Sequence, residues 1–407
     1  MSNKTVERNV NLKSSLMMTF ENSADVLETN SMLTDDEATL YDRQIRLWGA
    51  DAQLKLRQTR LLIINVNSLS IEVCKNLCLA GVAGITIMDN EKVKQSDVDH
   101  SLTLTISKEN INEYKAECTC KMLQQLNPRV HMLADYQRTI EEIDINYLNS
   151  FDFVCIFNHF NYQQILYLNN LCHQTKNNDR HINFFCAATF GLYGYVFKDL
   201  GESYDYFSAI SLGTETLIKG EGGHPSESQK NEQITKKNER KFITFEKALK
   251  TEWRPSKRRE IYRSGLTTYT LLKALLAFFE KYQRVPELKT HDIDIPNLLS
   301  IIKHLDQTAT TSKDIDSSMN DNELNEEMLT DILNDNNAVA SIVGGAMSHD
   351  IVKALLRSMI TPNPLSNTII TQLIHQPSSD SSTAILITTT ISALATSSPA
   401  RLCQYQS

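Results

Sequence analysis

The residues best placed to do chemistry stand at a strand-to-helix turn. Leu61-Leu62-Ile63-Ile64 reads as a buried strand, Asn65, Ser68 and Ser70 punctuate the turn behind it, and an apolar helical period (Ile71, Cys74, Leu77, Cys78) runs from about Ser70 to Gly81. A second strand, Ile85–Met88, ends in Asp89. Nucleotide sites are built this way: backbone N–H groups at the helix start take phosphates, and an acid at the end of the second strand, about 20 residues on, takes a ribose hydroxyl. A backbone that must approach a phosphate normally needs glycine there, and this turn has none. Asn65, Ser68, Ser70 and Asp89 are therefore read as a degenerate site, a scaffold without its cradle. Asp89 reads equally as a solvated strand-end acid.

The elements that must position this turn follow a β-α-β rhythm. A charged amphipathic helix is expected over 37–58, strands over 61–66, 85–88, 130–136, 153–157 and 182–187, the last leading to Gly191–Phe197, and helices over 70–80, 113–126 and 162–174. This predicts an α/β fold, a Rossmann-like and mainly parallel sheet with helices on both faces. Two later helices are expected, one over 266–282 and one carrying Val339, Ile342, Val343, Ala346, Met347, Ile351, Ala354 and Leu355 at helical spacing. Gly344-Gly345 inside the last one suggests that its backbone presses against the sheet. Residues 1–36 read as a flexible arm and 37–370 as one domain with polar insertions near 201–241 and 306–337. Residues 371–407 read as a Ser/Thr-rich disordered tail whose only apolar run is Ile385–Ile391.

Composition excludes several classes of function. The chain of 407 residues is 41% hydrophobic and 22% charged, as globular proteins are, and its formal charge of −8 argues against nucleic acid as a partner. No apolar stretch approaches the roughly 20 residues of a membrane span, so no membrane partner is expected. Eight cysteines without a CxxC pair read as reduced, packed thiols, and no metal site is expected. Cys118 and Cys120 are read as helix-borne packing residues. Cys186, at a strand end, is the least implausible nucleophile and is read as core.

Several motifs, in order, carry a family resemblance. Tyr41-Asp42-Arg43-Gln44-Ile45-Arg46-Leu47-Trp48-Gly49, Lys75-Asn76-Leu77 with Leu79-Ala80-Gly81, Asp89, Ala187–Tyr195, Ile243–Trp253, Ile342-Val343-Gly344-Gly345 and Ile351–Leu355 resemble the ubiquitin-like-modifier activating enzymes over about 37–370. The resemblance is to the SUMO-activating branch, in the type of subunit that lacks the catalytic cysteine. It implies the inactive half of an adenylation fold in an obligate heterodimer. ATP and Mg²⁺ would be bound by the cysteine-bearing partner subunit, which would also receive SUMO and hand it on to a conjugating enzyme.

By the same resemblance, Arg43 reaches in trans toward the partner's ATP, while Arg46 and Trp48 serve packing and the interface. Departures fit an inactive half: Asp97-Val98-Asp99-His100 replaces an Asn-Arg pair, and Phe157-Asn158-His159-Phe160 carries no catalytic-type aspartate. The resemblance also implies a nuclear and cytoplasmic protein. Lys236-Lys237 and Lys257-Arg258-Arg259 read either as an import signal or as a solvated charged face. Other readings are the corresponding neddylation subunit, a pure scaffold, a self-sufficient adenylating homodimer and, most remotely, a Rossmann oxidoreductase.

Overall fold

The computed structural model describes residues 32–99, 107–174, 176–177, 180–210, 234–250, 259–309, 326–334, 336–357 and 385–388. The chain divides into two compact units, Met1–Gln58 and Thr59–Ser407. In the first, the single helix expected over 37–58 is three short ones: α1 (Asp35–Leu40), α2 (Asp42–Trp48) and α3 (Ala50–Leu56). Thr34 and Glu37 form a reciprocal cap at the start of α1. Gly49 makes the second break with φ +90, a conformation that any side chain would strain. Tyr41 makes the first, yet hydrogen bonds from Tyr41 N to Glu37 O and from Ile45 N to Tyr41 O carry the path of α1 almost unbroken into α2. Arg57 closes the unit with an ion pair to Glu37 at 2.8 Å.

The second unit holds α4 (Ser68–Ala80), α5 (Gln95–Asp99), α6 (Lys115–Leu126), α7 (Ile145–Leu148), α8 (Tyr162–Gln174), α9 (Phe245–Lys250), α10 (Arg259–Tyr282), α11 (His291–Ala309), α12 (Glu326–Asp331) and α13 (Asn337–Leu356). Its main sheet uses seven strands: β1 (Arg60–Ile64), β2 (Gly84–Met88), β3 (His131–Asp135), β4 (Phe153–Phe157), β7 (Asn183–Phe190), β8 (Tyr193–Asp199) and β11 (Ile385–Thr388). They lie in the order β11-β8-β7-β4-β1-β2-β3. From β7 through β3 the pairing is parallel, and β8 and β11 add antiparallel strands. β2 and β4 are buried at every position, as strands covered on both faces must be. The fold is the mainly parallel α/β sheet that the sequence rhythm predicts.

Strands also lie in two regions where the sequence reading placed none. The tail expected to be disordered supplies β11, because Ile385-Leu386-Ile387-Thr388 has the composition of a strand and finds β8 to pair with. The polar insertion near 201–241 is framed by β9 (Tyr204–Ile210) and β10 (Ile234–Arg240), an antiparallel ribbon. A further small pair joins β5 (Lys176–Asn177) to β6 (Arg180–His181).

Helix α13 is long and apolar enough to cross a membrane, but 67% of its apolar window is buried inside the protein, so its composition is that of a core helix. Gly344 makes the close approach, and its neighbour is α4 rather than the sheet. A Cβ at Gly344 would lie 2.9 Å from the Cβ of Glu72, whereas one at Gly345 would meet nothing within 4 Å.

Candidate functional site

The carboxyl ends of β2, β1 and β4 form one edge of the sheet, and the order reverses between β1 and β4. Open α/β sheets bind ligands at such a switch point. Here protein side chains bridge it. Asn65, at the end of β1, adopts φ +70, the left-handed conformation asparagine tolerates better than most residues. Its Nδ2 donates to the carbonyl of Phe157 and to Nδ1 of His159, both at 3.1 Å.

Because Nδ1 of His159 accepts, the ring proton sits on Nε2, which donates to Oε1 of Gln164 at 2.6 Å. Gln164 passes the chain on to Glu141. Burial holds the His159 pKa below its ordinary value, so the ring is neutral. A neutral imidazole and two amides thus link the ends of β1 and β4, and none of the three is a carboxylate that could bind magnesium.

The phosphate side of the turn is closed in the same way. Asn67 caps α4, its Oδ1 accepting from Ser70 N at 3.0 Å, while Ser70 Oγ accepts from Asn67 N at 2.9 Å. Ser68 opens the helix, and its side chain makes no hydrogen bond among the described residues. Asp89 is buried rather than solvated. Its Oδ2 accepts from Val66 N at 2.6 Å and its Oδ1 from Glu91 N at 2.7 Å. Burial nevertheless raises its pKa. Lys115 is buried nearby, 2.9 Å from Glu91 and 3.3 Å from Asp97. Burial opposes its charge, but the bond to Glu91 and the surrounding carboxylates outweigh that and hold its pKa up.

The structure therefore brings Asn65, Ser70 and Asp89 together and occupies their polar groups with one another's turn. Asn65, Asn67, Ser70 and Asp89 are engaged within the site itself, the turn has no glycine to admit a phosphate, and the residues present do not fit ATP or Mg²⁺. Asn67, Lys115, His159 and Gln164 are the members the sequence reading missed. The capping spacing of Asn67 and Ser70 was the one available signal for them.

In the first unit, Arg43 is exposed on α2 and has no hydrogen-bond or ion-pair partner among the described residues. Arg46, also exposed, is bonded to Asp42 at 3.0 Å. Trp48 is half-buried, its Nε1 shielded and unpaired. All seven described cysteines are buried, and burial pushes the Cys186 thiol up to about 12.

The ThiF family matches residues 41–382. The chain belongs to the ThiF family. Among curated relatives, SUMO-activating enzyme subunit 1 of Homo sapiens is 30% identical over 81% of this chain and 90% of its own length. That of Danio rerio is 30% identical over 80% and 90%, and that of Xenopus tropicalis 29% over 81% and 92%. The match to the ThiF family begins at Tyr41, the first residue of the segment that carries Arg43.

Proposed function

We propose that this ThiF-family chain is the subunit without a catalytic cysteine in a SUMO-activating heterodimer, inactive alone and paired with a cysteine-bearing subunit. That pair would join the SUMO C-terminal carboxylate to AMP, release pyrophosphate, and capture the acyl group on the partner's cysteine before transfer to a conjugating enzyme. ATP and Mg²⁺ would be held by the partner, and the complex would work in the nucleus and cytoplasm. Support comes from relatives whose names give that subunit, aligned along most of both chains. It also comes from the contrast within this chain between a nucleotide turn filled by its own side chains and an exposed arginine with no described partner.

That contrast carries the reading. A guanidinium stays charged and offers forked donors to phosphate oxygens, so Arg43 is suited to act on an anion held in another chain. An arginine given in trans to a GTPase is worth about 10³–10⁵ in rate, an upper bound for Arg43. The test is SUMO-dependent ATP–pyrophosphate exchange by the chain alone, by the chain with its partner, and by the partner with Arg43→Ala. Silence, exchange and a large loss, in that order, support the assignment. Exchange by the chain alone would return it to a self-sufficient adenylating enzyme, and full exchange by the variant would leave it a scaffold.

A further inference from the structure

The nearly continuous path from α1 into α2 has two faces. Tyr41, Ile45 and Trp48, at spacings of four and three, lie on the inward one: Tyr41 is buried, Ile45 and Trp48 half-buried. Leu40, Arg43 and Leu47, at spacings of three and four, lie on the other, where all three are exposed. Leu40 is 58% and Leu47 64% exposed, flanking an arginine without a described partner. Arg46, the other exposed arginine of α2, is engaged by Asp42, so it is Arg43 that the leucines frame.

A single exposed leucine needs no explanation. Two, one turn before and one turn after an arginine with no described partner, are an arrangement that fixes a charged group in a second surface. Apolar contacts on both sides exclude water and remove freedom from a long side chain that must meet its anion in one geometry.

We propose that Leu40 and Leu47 are the apolar anchors that seat this face on the cysteine-bearing partner subunit and so position Arg43. Leu47, on the same helix as Arg43, is the principal positioning residue. The inference rests on the reading that Arg43 acts in trans, and it moves the apolar contact from Trp48, which lies on the inward face, to the leucines.

The experiment uses the full chain and the full cysteine-bearing subunit. Affinity between them is measured by titration calorimetry for the unmodified chain and for Leu47→Glu, Leu47→Met and Arg43→Ala, and the exchange rate is read on the same samples. Losing a buried leucine contact corresponds to about ten- to hundredfold in dissociation constant, and Leu47→Glu is expected to show at least that. Leu47→Met is expected to restore affinity. Arg43→Ala is expected to abolish exchange while weakening assembly much less than Leu47→Glu does. Because Leu47 is exposed, the thermal unfolding of the isolated Leu47→Glu chain should match that of the unmodified chain, which separates lost docking from lost folding.

Unchanged affinity in Leu47→Glu would overturn the proposal. So would self-association of the chain that Leu47→Glu abolishes while binding of the partner persists, since the face would then belong to a second copy. Absence of exchange by the unmodified pair would strike at the functional reading, whereas the affinity series tests the anchors by itself.

Discussion

The carboxylate of Asp89 lies 2.6 Å from the backbone nitrogen of Val66. The acid at the end of β2 thus holds the turn after β1, and the turn leaves it no oxygen to spare, since Glu91 N takes the other. Asp89→Ala strands two backbone donors and should cost about 1–3 kcal/mol in urea unfolding. Asp89→Asn, which keeps an acceptor, should cost less. Exchange per assembled heterodimer should be unaffected by either. A loss of activity without a loss of stability would mean that the site takes part in chemistry.

Gly344 and Gly345 are adjacent in sequence and opposite in environment. Alanine at Gly345 meets open space and gains helix propensity of about 1 kcal/mol. At Gly344 the same gain is set against overlap with Glu72, and overpacking of this kind costs about 1–3 kcal/mol. Gly345→Ala should raise the midpoint of thermal unfolding and Gly344→Ala lower it. Two increases would show that α4 and α13 can separate without cost.

Most of the sheet was legible because strands buried on both faces are continuous apolar runs, and β1, β2, β4 and β7 fall within a few residues of their expected places, as does β3, the half-buried edge strand. The break at Gly49 was hidden inside an amphipathic pattern that continues across it. β11 was hidden because four strand-like residues sit in a Ser/Thr-rich segment whose composition points the other way. At the turn, the absence of glycine was plain, but what replaced the cradle was not. The link from Asn65 to His159 joins residues 94 positions apart, and only the parallel pairing of β1 with β4 brings them together.

The buried carboxylate of Asp199 accepts from Asn169 Nδ2 at 2.8 Å, from His173 Nδ1 at 2.9 Å and from Gly201 N at 3.0 Å, which ties α8 to the base of the β9–β10 ribbon. The bond to Asp199 raises the His173 pKa above 6.5. A raised histidine contributes stability that is full below the unfolded pKa of about 6.5 and is lost as pH rises through the folded value. His173→Gln should therefore be less stable than the unmodified chain at pH 6, with the gap closing toward pH 9. The measurement is urea unfolding at both values. A gap independent of pH would mean that the imidazole acts only as a neutral donor.

Thiol reactivity separates this chain from one that carries its own acyl acceptor. A nucleophilic cysteine needs exposure and a lowered pKa, and the seven described cysteines have neither. Burial drives Cys78 and Cys118 up to about 11 and Cys120 and Cys186 up to about 12. At Cys186 the tyrosine hydroxyl of Tyr195, 3.2 Å away, lowers the value only in part. With an aromatic disulfide reagent at pH 8, these seven should react only as fast as the chain opens, and all together in denaturant. Cys186→Ala should leave SUMO thioester formation by the heterodimer intact, at most with the loss of stability expected of a buried side chain. A fast-reacting thiol among the seven, or a heterodimer that forms no thioester without Cys186, would place the acceptor in this chain and reverse the assignment of the two subunits.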